Sequence, residues 1–390
     1  GANGTTEIRG QVNVAVGSSV AGVSTATNFA PSSVPTSNRN LVINGAMEVA
    51  QRGTTSGTEG FNTIDRFSNE EGSCDEVPTQ SQVAVASGTT PYELGFRKAF
   101  RVTNGNQTSG AQAANFIKLT TKLEAQDVAT SGWNYKSSSS FVTLSFWVKS
   151  SVAQNFYGRL RSHDGTSQNY PYETGSLTAD TWTKVTKIIP GNSNLAFNYD
   201  NGTGLELEWM MYRGGNTTAS GVALDTWAAY ASGTRTPDQT STWFTTNDAT
   251  FEITGIQLEL GKQATPFEHE RYSQTLNKCL RYYEQFNSNG LTEAVFCSGY
   301  FESDTNGRVC LNYYQKRAQP TLTFSAASTF TCLNTNNIPA ASAIATQKVT
   351  ETSALISVTL PTVTDGNGRG CILISVSSTE ATIKVDAELS

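Results

Sequence analysis

The sequence predicts an all-β protein: a jelly-roll β-sandwich, a short linking helix and a second, smaller C-terminal β domain. Three observations predict it. Apolar and polar residues alternate with period two over many short runs, the pattern of strands with one covered face. Gly, Asn, Asp, Ser and Thr separate those runs, as turn chemistry requires. Only one stretch carries a helical period, and no long helices alternate with the strands, so α/β folds are disfavoured. The apolar fraction is 37 % and the charged fraction 15 %, which suits many half-covered strands better than a helical enzyme.

Residues 1–39 form an extended segment for oligomerisation or attachment. "QVNVAV" (Gln11 to Val16) reads as one strand, and "APSSVPTSNRN" as a linker. Phe29 is the segment's one aromatic residue, too little for a core of its own. The opening "GANG" is consistent with a cut inside a longer protein or an expression scar.

Residues 40–268 read as the jelly roll. In "FVTLSFWVKS" (Phe141 to Ser150) both faces are partly apolar, as in a sandwich strand. In "LELEW", Leu205, Leu207 and Trp209 face one way. Glu206 and Glu208 face the other, which makes them the outer face of a strand. In "FEITGIQLEL" the alternation changes phase near Gly255, the sign of a bulge. Trp147, Trp182 and Trp209 lie inside strand patterns and are expected in the core.

Residues 269–290 read as the linking helix, preceded by an ordered turn and beginning near residue 272. Tyr272, Leu276, Cys279, Tyr283 and Phe286 recur at steps of four and three, a single apolar stripe. So short a helix must dock, on its own sheet or on neighbouring chains. Residues 291–390 read as the C-terminal β domain, with runs such as "GRVCLNYY" and "RGCILISVSS".

The net charge of −6 and the lack of a basic stripe disfavour broad nucleic-acid binding and leave room only for a local patch, so no nucleic-acid partner is expected. No run of about 18 apolar residues occurs, so no membrane insertion is expected. There are two histidines, His163 and His269, and six cysteines without a CxxC pair. No metal site or cofactor is expected from these, and the cysteines read as small buried hydrophobes.

Particular motifs carry a resemblance. They are "NLVINGAMEVAQRGT" (Asn40 to Thr54), "IDRF" (Ile64 to Phe67), "LSFWVKSS" (Leu144 to Ser151) and a Trp182 strand ending in "IPG". "GIQLELGKQATPFE" (Gly255 to Glu268), "LNKCLRYYEQF" and "KRAQPTLTF" (Lys316 to Phe324) follow in order. Over about residues 40–325 the chain resembles bacteriophage tail-fibre and receptor-binding proteins with a jelly-roll domain similar to carbohydrate-binding modules. The resemblance implies a virion location in a tail fibre and a homotrimer. It also implies other virion tail proteins as partners through the N-terminus, and attachment to a host surface glycan or surface protein. Within it, Tyr272, Leu276, Tyr283 and Phe286 become candidate oligomerisation residues, in a three-chain bundle or on the chain's own sheet. The motifs themselves read as frame residues. A purely structural shaft or adaptor and a polysaccharide depolymerase are the alternatives.

Sugar recognition needs aromatic faces beside short polar contacts in a concave site. Three stretches offer them. "SGWNY" holds Trp133 and Tyr135. "RLRSHDGTSQNYPYE" holds Arg161, His163, Asp164, Tyr170 and Tyr172. "WAAYASGTRTPDQTSTWF" holds Trp227 and Tyr230. Packing roles compete for Tyr170, Tyr172 and Trp133, and a turn role for Asp164. No nucleophile elbow, HExxH or phosphate loop occurs, so no catalytic residues are assigned and a non-enzyme is expected. "IDRF" reads as a structural ion pair or turn anchor at Asp65 and Arg66.

Overall fold

The computed structural model describes residues 38–333, 339–361, 366–376 and 378–389. The expected Gln11–Val16 strand and nearly all of the N-terminal segment 1–39 lie outside them.

The first β region carries β1 (Thr55–Ser56), β2 (Ser68–Gly72), β3 (Thr79–Ala84), β4 (Lys98–Thr103), β5 (Phe116–Glu124) and β6 (Phe141–Ser150). It continues with β7 (Asn155–Ser162), β8 (Gln168–Ser176), β9 (Thr183–Pro190), β10 (Thr203–Arg213), β11 (Ala228–Ala229) and β12 (Thr250–Leu260). They form two six-stranded sheets, β1-β3-β4-β12-β6-β9 and β11-β8-β7-β10-β5-β2. The sheets stack as a sandwich because alternate residues of each are apolar. Val142, Leu144, Phe146 and Val148 of β6 share one core with Leu205, Leu207 and Trp209 of β10. The Phe146 and Trp209 rings meet edge to face at 5.7 Å, a favoured aromatic geometry. Trp147 and Trp182 depart from the expected core position. They are half-buried, in a satellite cluster with Val85, Phe96 and Phe267.

The opening and closing motifs of this region interlock. Asn40 Nδ2 donates to the Ile256 carbonyl (2.9 Å), and its Oδ1 accepts from the Leu258 amide (3.0 Å). Ile256 N donates to the Gly45 carbonyl, and Leu41 N to the Leu258 carbonyl, both at 2.9 Å. A Cβ at Gly45 would stand 2.0 Å from the Ile256 oxygen, so only glycine fits there. The expected bulge exists: the β12–β6 register shifts between Thr254 and Gln257, and Gly255 takes φ +64°.

The helix runs Tyr272–Leu280, and Gln274 Oε1 accepts from the Arg271 amide at its start (3.1 Å). It is shorter than the expected 269–290. Tyr283 and Phe286 sit instead on β13 (Tyr283–Asn287), an antiparallel partner of the strand Thr382–Asp386. A spacing of three suits a helix stripe; in the strand it puts the two rings on opposite faces, Tyr283 toward Arg52 and Phe286 toward the C-terminal core. Tyr283 is buried within its own chain, and Phe286 packs on the C-terminal core. The oligomerisation stripe therefore shrinks to Tyr272, 57 % exposed, and half-buried Leu276.

The C-terminal region adds β14 (Val295–Ser303), β15 (Asn306–Asn312), β16 (Thr321–Phe324), β17 (Phe330–Leu333) and β18 (Ala343–Val349). It ends with β19 (Ser353–Thr359), β20 (Gly370–Ser375) and β21 (Thr382–Asp386). A six-stranded sheet, β17-β20-β14-β15-β19-β18, covers a three-stranded one, β13-β21-β16. Phe301, Val309, Ile356 and Leu373 meet Ile383 and Val385 in its core. All six cysteines are free; Cys279, Cys332 and Cys371 are buried, while Cys310 is exposed, against expectation. No helix among the described residues is long and apolar enough to cross a membrane.

Ionic contacts join the two regions. Arg66 pairs with Glu388 and lies 3.4 Å from the Tyr282 ring centroid. Arg52 lies 3.5 Å from the Tyr283 ring centroid and reaches Asp386 (3.1 Å) and Glu388 (3.4 Å). Arg281 bonds both oxygens of Glu124 at 2.7 and 2.8 Å. Asp65 is buried, 3.8 Å from Arg52 and 2.5 Å from Gln51 Nε2. Burial pushes its carboxyl up to about 6, against the opposing pull of Arg52 and Gln51.

Candidate functional site

The outer face of the β11-β8-β7-β10-β5-β2 sheet gathers the charged residues of three adjacent strands. Antiparallel register puts Glu208 of β10 opposite Thr120 of β5 and Arg159 of β7. Glu206 stands opposite Lys122 and Arg161 in the same way. Side chains at i and i+2 of each strand therefore share this face.

The pairing is dense. Arg159 grips Glu208 with two bonds, Nε to Oε2 at 2.5 Å and Nη2 to Oε1 at 2.7 Å. Lys118 Nζ donates to Glu208 Oε1 (2.8 Å) and lies 3.0 Å from Glu70. His163 Nε2 is 3.0 Å from Glu206 Oε2. Arg213 Nη2 lies 3.5 Å from Glu208 Oε2. Glu206 and Glu208 are both buried, which corrects their reading as a plain outer strand face. The segment 214–241 runs along this face, with its Tyr230 ring against the guanidiniums of Arg159 and Arg161. It is tied down by Tyr230 N to the Ser167 carbonyl (2.8 Å), Asn169 Nδ2 to the Arg235 carbonyl (2.9 Å) and Gln239 Nε2 to Met210 Sδ (3.7 Å).

The electrostatics follow from this pairing. Burial pushes the Glu208 carboxyl up, but Arg159 and Lys118 outweigh it and hold the group well below the usual carboxylate range. For Glu206 burial is likewise outweighed, by the His163 hydrogen bond and by Lys118 and Arg159, and the group is lowered. Both carboxylates stay ionised and engaged.

One rim of the cluster is open. Arg161, His163, Arg235 and Tyr230 are half-buried. The guanidinium of Arg161 lies 3.9 Å from the Tyr230 ring centroid, with Arg159 at 5.3 Å and Arg235 at 5.7 Å, cation–π distances for all three. A groove of about 300 Å³ lies alongside, bordered by Asn169, Pro171, Ala219, Val222 and Thr234.

Of the nine expected glycan residues, this face brings together Arg161, His163 and Tyr230. The others lie elsewhere or point inward. Tyr170 and Tyr172 are core residues, the latter donating from its hydroxyl to the Glu208 carbonyl (3.3 Å). Trp227 is buried on Tyr170 and donates to the Pro190 carbonyl at 2.7 Å. Trp133 is buried, and Tyr135 stands half-buried, edge-on to Phe197 at 4.9 Å. Asp164 accepts from Asn198 N (2.8 Å) and Nδ2 (2.9 Å), a loop anchor. Lys118, Arg159 and Arg213 complete the cluster without having been among the sequence candidates. Their signal was like charges at i, i+2 on neighbouring strands, Arg159 and Arg161 against Glu206 and Glu208. No cluster of three or more His, Cys, Asp or Glu suited to a metal occurs among the described residues.

No protein-family model matches the chain. No curated protein matches it in sequence. Solved structures similar to parts of it include the enzymatically active domain of tailspike protein 4 of bacteriophage CBA120. That match has 10 % identity and a TM-score of 0.30, over 57 % of this chain and 21 % of that one. A family 11 carbohydrate-binding module of Clostridium thermocellum, solved with a β-1,3-1,4-mixed-linked tetrasaccharide, matches at 12 % identity and a TM-score of 0.24. It covers 55 % of this chain and 98 % of the module. The N-terminal cellulose-binding domain of Cellulomonas fimi β-1,4-glucanase C matches at 8 % identity and a TM-score of 0.27, over 56 % and 99 %. The chain thus spans about a fifth of the length of that tailspike domain and nearly all of the two modules.

Proposed function

We propose that this chain is a non-enzymatic part of a phage tail fibre that attaches to the host surface by binding glycan. One observation carries the glycan reading: an open rim on a rigid sheet face sets the half-buried Tyr230 ring beside Arg161 and Arg235, with the His163–Glu206 pair on the same face. An aromatic face with fixed donors and acceptors around it is what a sugar ring and its hydroxyls require. The buried Arg159–Glu208–Lys118 network beneath holds those groups in place. The motif order from Asn40 to Phe324 supports the virion setting. Glu206 and Glu208 do not suit glycoside cleavage, because a general acid must keep its proton near neutral pH and both are held ionised.

In this reading the chain is a homotrimer, with Tyr272 and Leu276 at the contact and the N-terminus joined to other tail proteins. Three copies of a weak site would raise avidity. A monomeric mass at micromolar concentration in equilibrium sedimentation would remove the trimer from the reading.

The test is binding of the purified chain to intact cells of candidate hosts, repeated after periodate oxidation of their sugars. Binding that vanishes on oxidation, and in Tyr230→Ala, supports the reading. Binding that survives oxidation points to a protein receptor. No binding to a host that the parent phage infects moves the chain to a structural shaft or adaptor.

A further inference from the structure

The glycan reading leaves one feature of the same rim unused. Its guanidinium groups outnumber the carboxylates that could neutralise them. Glu208 is shared by Arg159, Lys118 and Arg213, Glu206 by His163, Arg159 and Lys118, and Glu70 is held by Lys118. The next carboxylates, Glu173 and Asp238, bond Asn155 and Thr218 rather than an arginine.

Three arginines keep unspent donors. Arg161 uses only Nε, to Ser167 Oγ at 3.1 Å, and its two terminal nitrogens make no hydrogen bond among the described residues. The Arg235 side chain makes none, and its Nε is buried without a partner. Arg213 is 1 % exposed, yet Nε and Nη2 lack hydrogen-bond partners. Arg161 and Arg235 both stand over the half-buried Tyr230 ring, on the open side of the cluster. A buried donor without a partner costs free energy, and a cation among cations costs more. This surplus occurs in a chain whose net charge is −6, so the chain's overall charge does not account for it.

We infer that the rim selects an acidic saccharide, with its acid group held by Arg161 and Arg235 and its sugar ring against the edge of Tyr230. Guanidinium forks match the two oxygens of a carboxylate or phosphate, and a neutral hydroxyl would leave those donors unspent. The inference rests on the glycan reading and narrows it to a substrate class.

The test is calorimetric titration of the full chain with three ligands on one backbone. These are β-1,4-linked tetraglucuronate, cellotetraose (the same chain with each carboxylate reduced to hydroxymethyl) and 6-phosphorylated cellotetraose. An acidic form should bind at least about tenfold more tightly than the neutral one, and that ratio should shrink as salt screens it. The stronger acidic ligand identifies the acid group. Arg161→Gln and Arg235→Gln should each remove most of the preference while leaving the thermal midpoint nearly unchanged. Equal or tighter binding of cellotetraose overturns the inference and leaves the glycan reading standing. Absence of heat with all three also overturns it, and the glycan reading is then judged by the periodate experiment alone.

Discussion

Two buried ionic clusters in this chain treat their carboxylates in opposite ways. On the sheet face, Glu208 is fully buried and held well below the usual carboxylate range. At the seam between the β regions, Asp65 is equally buried and raised to about 6. The difference lies in contact geometry. Glu208 receives a two-pronged grip from Arg159 at 2.5 and 2.7 Å and a third bond from Lys118. Asp65 takes its hydrogen bonds from neutral Gln51, at 2.5 and 3.0 Å, and its cation, Arg52, stands 3.8 Å away and is shared with Asp386 and Glu388. Burial alone therefore does not set ionisation; the number and closeness of cationic donors does.

Removing the grip should produce the largest effect. Arg159→Met leaves Glu208 buried against weakened compensation and should cost roughly 3–5 kcal/mol in chemical unfolding. Adding Glu208→Gln should return much of that loss. An Arg159→Met chain of parental stability would show that the sheet-face cluster is loosely held, like the seam.

The seam is expected to respond to acid in the opposite sense. The raised Asp65 carboxyl keeps its proton to about pH 6 when folded, against about 3.9 unfolded, so ionising it penalises only the folded state. That penalty is absent below about pH 4 and complete above about 6. Asp65→Asn should therefore gain roughly 2–3 kcal/mol relative to the parent between pH 4 and 7, read from unfolding curves at both. Glu208 is lowered, so its stabilisation is present above its unfolded pKa and lost as pH falls through the folded one. Glu208→Gln should shift its own gap with the opposite sign. Gaps that move together would erase the contrast between the clusters.

A smaller effect is expected at the open rim. Tyr230→Ala should weaken glycan binding by about 1–2 kcal/mol, typical of a lost aromatic contact, with little change in the unfolding midpoint. The smallest belongs to the helix start. Gln274→Ala removes the bond to the Arg271 amide and should cost about 0.5–1 kcal/mol, measurable as a small drop in Tm.

Much of the frame was legible because strand period is a local property. Val142 to Val148 and Leu205 to Trp209 announced their faces, and Gly255 announced its bulge. The candidate site was only half legible. Period two says that Glu206 and Glu208 share a face, but not whether anything covers it. Their partners, Arg159 and Lys118, stand on neighbouring strands, which the period of one strand does not report. Tyr170 and Tyr172 looked available because "SQNYPYE" is polar, yet β8 turns both inward. The helix was overextended because Tyr283 and Phe286 keep helical spacing, while their true partners lie about a hundred residues further on.

The clasp between Asn40–Gly45 and Ile256–Leu258 has a mechanical consequence. The chain enters the first sandwich beside the point where it leaves, and β13 and β21 likewise bring the two ends of the C-terminal region together. A pull on the polypeptide therefore meets these short clasps first, and the stacked sheets behind them carry load only after the clasps have opened. Their few bonds, Asn40 to Ile256 and Leu258 above all, are where the chain should yield under tension.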